Sequence, residues 1–179
     1  MNMHDYQKLA QRTSPTDHDK QGNGILGLIG EVGELVDEFK KYIYQSGPDP
    51  VLPAMRFAEE CGDVLWYLAE LAEGMGVELA QIAPDFDILD EKAAGLHGAP
   101  SLRSVLLDMS KAASDIASEV LSCRMAAAQE NMRVMLRRAS WLARIIGVPL
   151  VQIAHMNIEK LKKRYPDGFN ASISMARYE

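Results

Sequence analysis

Cysteine is scarce in this 179-residue chain, with only Cys61 and Cys123 present, so a disulfide framework is excluded as an organising device and buried free thiols within helices are expected. Aromatic residues make up only 7%. Alternating runs of β-branched residues are absent, which removes the pattern expected of half-buried strands. No uninterrupted apolar run is long enough to cross a bilayer, and the opening segment MNMHDYQKLAQRT lacks the apolar stretch of a secretory signal. The expectation is a cytoplasmic protein without a membrane partner. Net positive charge is also lacking: the formal charge is -6, which argues against general affinity for a nucleic-acid backbone.

What is present is helix-forming sequence, rich in Ala, Leu, Met, Glu, Lys and Arg. Apolar residues at 47% and charged residues at 25% match a globular domain, and the length suits one compact unit. Apolar periodicity and Pro/Gly punctuation predict helices over about Met3 to Arg12, Lys20 to Tyr44, Pro53 to Gly74, Leu79 to Ala83, Ser101 to Ser122, Ala126 to Ile146 and Pro149 to Arg164. The fold class is all-α. The tail from Pro166 has weak periodicity and is expected to be ordered only by docking.

The segment Gly76-Val77-Glu78-Leu79-Ala80-Gln81-Ile82-Ala83 is echoed by Gly147-Val148-Pro149-Leu150-Val151-Gln152-Ile153-Ala154. Extended backward, the register lays Glu59 on Glu130 but Glu60 on Asn131 and Asp63 on Val134. Across a shorter loop, Glu34 falls on Asp115, Glu38 on Glu119 and Glu31 on Ala112. The expected architecture is therefore an internally duplicated helical bundle, a pseudo-dimer of two hairpins, within a single domain spanning 1-179. Its first half, 1-95, carries the acids, and its degenerate second half, 96-179, carries the basic C-terminal helix.

Glu31 and Glu34 lie three residues apart on one helix, and Glu60 and Asp63 repeat that spacing on the next. Both pairs border apolar stripes, so packing the two helices would draw four carboxylates to one seam. Such convergence is unfavourable unless a cation neutralises it. An all-oxygen ligand set favours a hard ion, Mg²⁺ above all, with Mn²⁺ as a substitute. Gly30, Gly33 and Gly62 stand among these acids, and glycine inside a helix costs about 1 kcal/mol relative to alanine. Their placement points to close helix approach or room for a ligand.

The stretch Gly27-Leu28-Ile29-Gly30-Glu31-Val32-Gly33-Glu34-Leu35, followed by Glu59-Glu60-Cys61-Gly62-Asp63-Val64-Leu65-Trp66-Tyr67-Leu68, resembles the MazG-like nucleotide pyrophosphohydrolases. The opening Tyr6-Gln7 and the ending Asn157 to Phe169 are similar to compact members of that family. The resemblance covers about 1 to 83 and 147 to 169. It implies a Mg²⁺ site formed by Glu31, Glu34, Glu60 and Asp63, and hydrolysis of a ribo- or deoxynucleoside triphosphate to the monophosphate and pyrophosphate. The sequence departs from some members in having Gly30 where they carry another glutamate, which implies fewer metal ions or a different base.

Asn157, Lys160 and Arg164 share a helical face, suited to an amide donor and two cations for a polyphosphate. Glu38, one turn from Glu34, and Glu59, beside Glu60, are the candidates for accepting the attacking water's proton, with Glu38 preferred. Trp66 is a candidate for stacking on the base, although a core role fits it as well. dUTP and phosphoribosyl-ATP are alternative substrates of the same chemistry, and a catalytically silent binding or assembly module is the rival of another class. Apolar helix faces left over after folding suit a homodimer.

Overall fold

The computed structural model describes residues 1–83 and 100–170. Among these, seven helices and no strand are present: α1 (Met3–Gln11), α2 (Lys20–Tyr44), α3 (Ala54–Gly74), α4 (Leu79–Ile82), α5 (Leu102–Leu121), α6 (Met125–Ile146) and α7 (Leu150–Arg164). The all-α class is thus established, with helix ends within a residue or two of those expected. Local chemistry accounts for that agreement. Asn2, Asp19 and Ser101 cap α1, α2 and α5 by accepting the backbone N–H of Asp5, Gly22 and Ser104.

The boundary placed between 95 and 96 falls outside the described residues. Cys61 is buried as expected, but Cys123 is exposed, in the turn between α5 and α6. It takes the left-handed conformation there (φ 56°), and the next N–H, that of Arg124, returns to the Glu119 carbonyl at 2.8 Å. The break expected between Ser122 and Ala126 is thus a sharp reversal made at Cys123. The start of the tail docks on the end of α1, where the Phe169 N–H donates to the Arg12 carbonyl at 3.2 Å.

α2 and α3 form one antiparallel hairpin, α5 and α6 a second, and α2 lies against α5. Glycines set the closeness of the first pair. A Cβ on Gly24 would sit 2.8 to 2.9 Å from Leu71 backbone and Cβ atoms, and one on Gly27 would overlap the Tyr67 ring. The seam between the helices is filled by Leu28, Val32, Leu35, Val64, Leu65, Leu68 and Leu71, all buried. α1 covers part of α3, and α7 packs chiefly on α3 although it follows α6 in sequence. No single helix among the described residues is long and apolar enough to cross a membrane.

The two hairpins share a burial pattern. Ile25, Leu28, Val32 and Leu35 are buried along α2, and Leu106, Met109, Ala113 and Ile116 are buried in the same register along α5. Leu26 and Leu107 are exposed at matching positions. Cys61, Val64, Leu65, Leu68 and Leu71 on α3 correspond likewise to Met132, Met135, Leu136, Ala139 and Leu142 on α6. α3 and α6 also end alike. Gly76 and Gly147 take φ of 68° and 71°, and the following valine N–H in each case returns to the carbonyl five residues back at 3.0 Å. Where Tyr67 lies over Gly27, the second hairpin has an Arg138–Asp108 ion pair of 3.0 Å.

A matched pair of substitutions tests the packing. Gly24→Ala should destabilise the fold by about 1 to 3 kcal/mol, because the two helices must separate. Gly30→Ala, whose Cβ would meet open space, should stabilise it by up to about 1 kcal/mol. Midpoints of chemical denaturation measured on both variants read the two effects.

Candidate metal centre

Glu31 from α2 and Glu60 and Asp63 from α3 bring three carboxylate oxygens within 4.8 Å of one another. All three side chains are partly buried, beside the buried neighbours Val32, Cys61, Gly62 and Val64. Glu34, the fourth acid expected here, is exposed and lies outside this close group. Its charge still acts on the group by raising the proton affinity of both Glu31 and Glu60. Burial is the larger cause. For Glu31, burial together with Asp63, Glu34 and Glu60 raises the carboxyl from 4.5 to about 7 against the opposing effect of Lys160. Glu60 is raised by burial and by Glu34 and Asp63.

Asp63 is held by the far end of the chain. Asn157 on α7 donates from Nδ2 to Asp63 Oδ1 at 2.9 Å, and Lys160, one turn later, bonds to Asp63 Oδ2. The Asn157 carbonyl oxygen accepts the Tyr6 hydroxyl at 2.9 Å. Both ends of the Asn157 amide are therefore engaged, and the side chain is buried. This differs from the amide donor expected to face a polyphosphate: Asn157 shares a face with Lys160 but acts on Asp63. The close approach is made at Gly62, where a Cβ would meet Asn157 Cβ at 3.0 Å. Gly30 and Gly33 differ, since a Cβ on either would meet open space. Tyr6 ties α1 into the same chain of bonds, and burial with the nearby Asp63 charge pushes its hydroxyl well above the ordinary range.

Two cavities flank the acids. One, of about 570 Å³, is lined by Asn157, the cations Lys160, Lys163 and Arg164, the acids Glu59 and Glu159, and Ala58 and Met156. The other, of about 320 Å³, runs from Glu31 and Asp63 past Trp66 and Tyr67 to Asn23. Arg164 lines both. Trp66 donates its indole N–H to Thr13 Oγ1 at 3.0 Å and to the Ala10 carbonyl at 3.2 Å, and packs edge-on against Tyr67. It is thus anchored as a wall of the second cavity while also contributing to the core.

Glu38 is not drawn into the acidic group. It is buried and accepts from Arg56 at 3.1 Å and Lys41 at 3.2 Å. Helical spacing put it on the acidic face, but the partner helix offers it a guanidinium there. Sequence reasoning passed over Tyr6 as a support for the site, Lys163 as a cavity residue, and Asn23. For Lys163 its place in a basic run was a usable signal. Tyr6 had only its place in the Tyr6-Gln7 opening of the resemblance, and Asn23 had none, because their partners lie far along the chain.

Oxygen donors of three carboxylates at this spacing fit a hard divalent ion, and burial first, with the like charges of Asp63 and Glu34 added, raises the proton affinity of Glu31 and Glu60. Because the folded carboxyl of Glu31 takes its proton at higher pH than an unfolded one, its ionisation weakens the fold as pH rises from 4.5 to about 7. In chelator, Glu31→Gln should therefore flatten the fall in melting temperature across that window. With excess Mg²⁺, the wild-type protein should regain melting temperature most at the upper end of the window, as thermal unfolding at a series of pH values would read.

In comparison with known proteins, the chain matches no family model, no curated protein and no solved structure.

Proposed function

We propose that the protein is a Mg²⁺-dependent nucleotide pyrophosphohydrolase of the MazG-like type, which hydrolyses a nucleoside triphosphate between its α and β phosphates. The observation that carries this reading is the meeting of Glu31, Glu60 and Asp63 directly beside Lys160, with a cavity bearing Lys160, Lys163 and Arg164 on one side and an aromatic-lined one on the other. Glu31, Glu60 and Asp63 would hold the ion, with Glu34 adding charge at the rim. Bound there, Mg²⁺ supplies charge neutralisation at the phosphoryl oxygens and lowers the pKa of a water.

The remaining work falls to the chain's own groups. Asn157 fixes the orientation of Asp63, and Tyr6 fixes Asn157 in turn. Lys160, Lys163 and Arg164 bind the β and γ phosphates in the larger cavity, where the leaving pyrophosphate gathers negative charge. In the reaction the water oxygen bonds to the α phosphorus, the bridge from that phosphorus to the β phosphate breaks, and a carboxylate takes the water's proton. Glu59 suits that last role better than Glu38, since it lines the phosphate cavity whereas Glu38 is held by Arg56 and Lys41.

The shared burial pattern and the paired glycine-terminated helices support an origin by duplication, with one composite site per chain. The second hairpin has Ala112, Asn131 and Val134 where the first has Glu31, Glu60 and Asp63. The basic helix α7, belonging to the second half, sits instead on α3 of the first. Each half thereby contributes what the other lacks.

Pyrophosphate release from ribo- and deoxynucleoside triphosphates, dUTP and phosphoribosyl-ATP, with Mg²⁺ and with chelator, tests the reading. Asp63→Asn and Glu60→Gln should each lower the rate at least about 100-fold while retaining the far-UV spectrum of the wild type. An unaltered rate in Asp63→Asn, or no release from any of these substrates, would overturn the assignment.

A further inference from the structure

Glu70 is a carboxylate on α3 with no exposed surface, outside the group just described. One of its oxygens, Oε1, collects three donors from the connection before α2 and the first turn of α2: Ser14 Oγ at 3.0 Å, His18 Nε2 at 2.5 Å and Asn23 Nδ2 at 3.2 Å. Lys20 Nζ lies 3.9 Å from the other oxygen. A buried carboxylate needs such donors, because removing it from water without them costs several kcal/mol. One consequence reaches beyond stability. A carboxylate oxygen only accepts, so the Asn23 amide must turn its NH₂ toward Glu70, and its carbonyl oxygen is left to face elsewhere. Among the described residues that oxygen accepts no hydrogen bond.

Asn23 is also a wall of the smaller cavity, the one that holds Glu31 and Asp63 at one end and Trp66 and Tyr67 along its side. Asn23 and Glu31 are eight positions apart on α2, about 12 Å of helix rise. That is the order of length separating the α phosphorus of an extended nucleotide from the far edge of its base. The cavity has room for a nucleobase, and its aromatic wall suits a flat ring.

We infer that Asn23, oriented by Glu70, is a specificity-determining residue that selects bases bearing an exocyclic amino group, as in cytosine or adenine, over their oxo counterparts. The inference rests on the nucleotide-binding reading of the site but not on its chemistry. An amino group donates N–H to the Asn23 carbonyl oxygen. A 4-oxo or 6-oxo group would set two acceptors against each other and leave both without a proton. The fixed amide cannot flip to accommodate it, because flipping would point its carbonyl at the Glu70 carboxylate.

Binding of monophosphates by calorimetry tests this without turnover, using the matched pairs dCMP with dUMP and dAMP with dIMP on the full chain. The expected result is tighter binding of the amino member by about tenfold or more in at least one pair. The pair that shows it tells whether the cavity takes a pyrimidine or a purine. In Asn23→Ala, where alanine suits the helix, the ratio should fall to within about twofold of unity. Equal or reversed affinities in both pairs overturn the inference, as does failure of all four to bind. So does a ratio unaltered in Asn23→Ala. A protein that prefers dCMP to dUMP yet releases no pyrophosphate from any triphosphate would keep this inference and lose the hydrolytic one.

Discussion

Three carboxylates meeting at the seam of one helical hairpin are the constraint on which the rest of the structure depends. At about 4 Å two like charges repel by on the order of 4 kcal/mol near a protein surface, so the group opposes the hairpin that holds it. The hairpin forms regardless, because burying each Leu or Val between α2 and α3 contributes roughly 1.5 to 3 kcal/mol and seven such side chains line the seam. Hydrophobic packing therefore imposes the electrostatic problem. The raised proton affinity of Glu31 and Glu60 is its local expression, and Lys160 its partial relief.

How closely the helices approach decides how sharply the acids are focused. Glycines at positions 24 and 27 allow α3 to lie directly on α2, and glycine at 62 allows α7 to reach Asp63 from the other side. The outcome is a site whose parts come from distant stretches of chain. Acids come from α2 and α3, the orienting amide and the cations from α7, and the hydroxyl that holds the amide from α1. The proposed duplication would account for that division in physical terms. When a second copy is joined in the same chain, one set of acids and one basic helix suffice for a working site, and the redundant acids can be replaced by packing residues. In the second hairpin Ala112 and Val134 stand in the register of Glu31 and Asp63, and the Arg138–Asp108 pair stands where Tyr67 covers Gly27.

Much of the fold was legible in the sequence because its signals are local. Helix limits follow from side-chain caps at Asn2, Asp19 and Ser101 and from glycine at 76 and 147, each acting within a few residues. Apolar spacing named the buried faces for the same reason. The break between Ser122 and Ala126 was legible too, but not the left-handed conformation of Cys123 that makes it, since a non-glycine residue in that conformation leaves no mark in composition.

At the candidate site, sequence alone determined which residue types share a helix face: Glu31 with Glu34, Glu60 with Asp63, Asn157 with Lys160. It could not determine how each face is turned toward its neighbours, since a spacing of three or four residues fixes an angle within one helix and none between two. Tertiary packing decided that Glu31 enters the close group while Glu34 stays at its rim, and that Glu38 meets Arg56 in place of the other acids. It also turned Asn157 toward Asp63 and Asn23 toward Glu70. Hydrogen bonds between residues so far apart along the chain exist only once the helices are packed, because it is the packing that brings the two partners within reach.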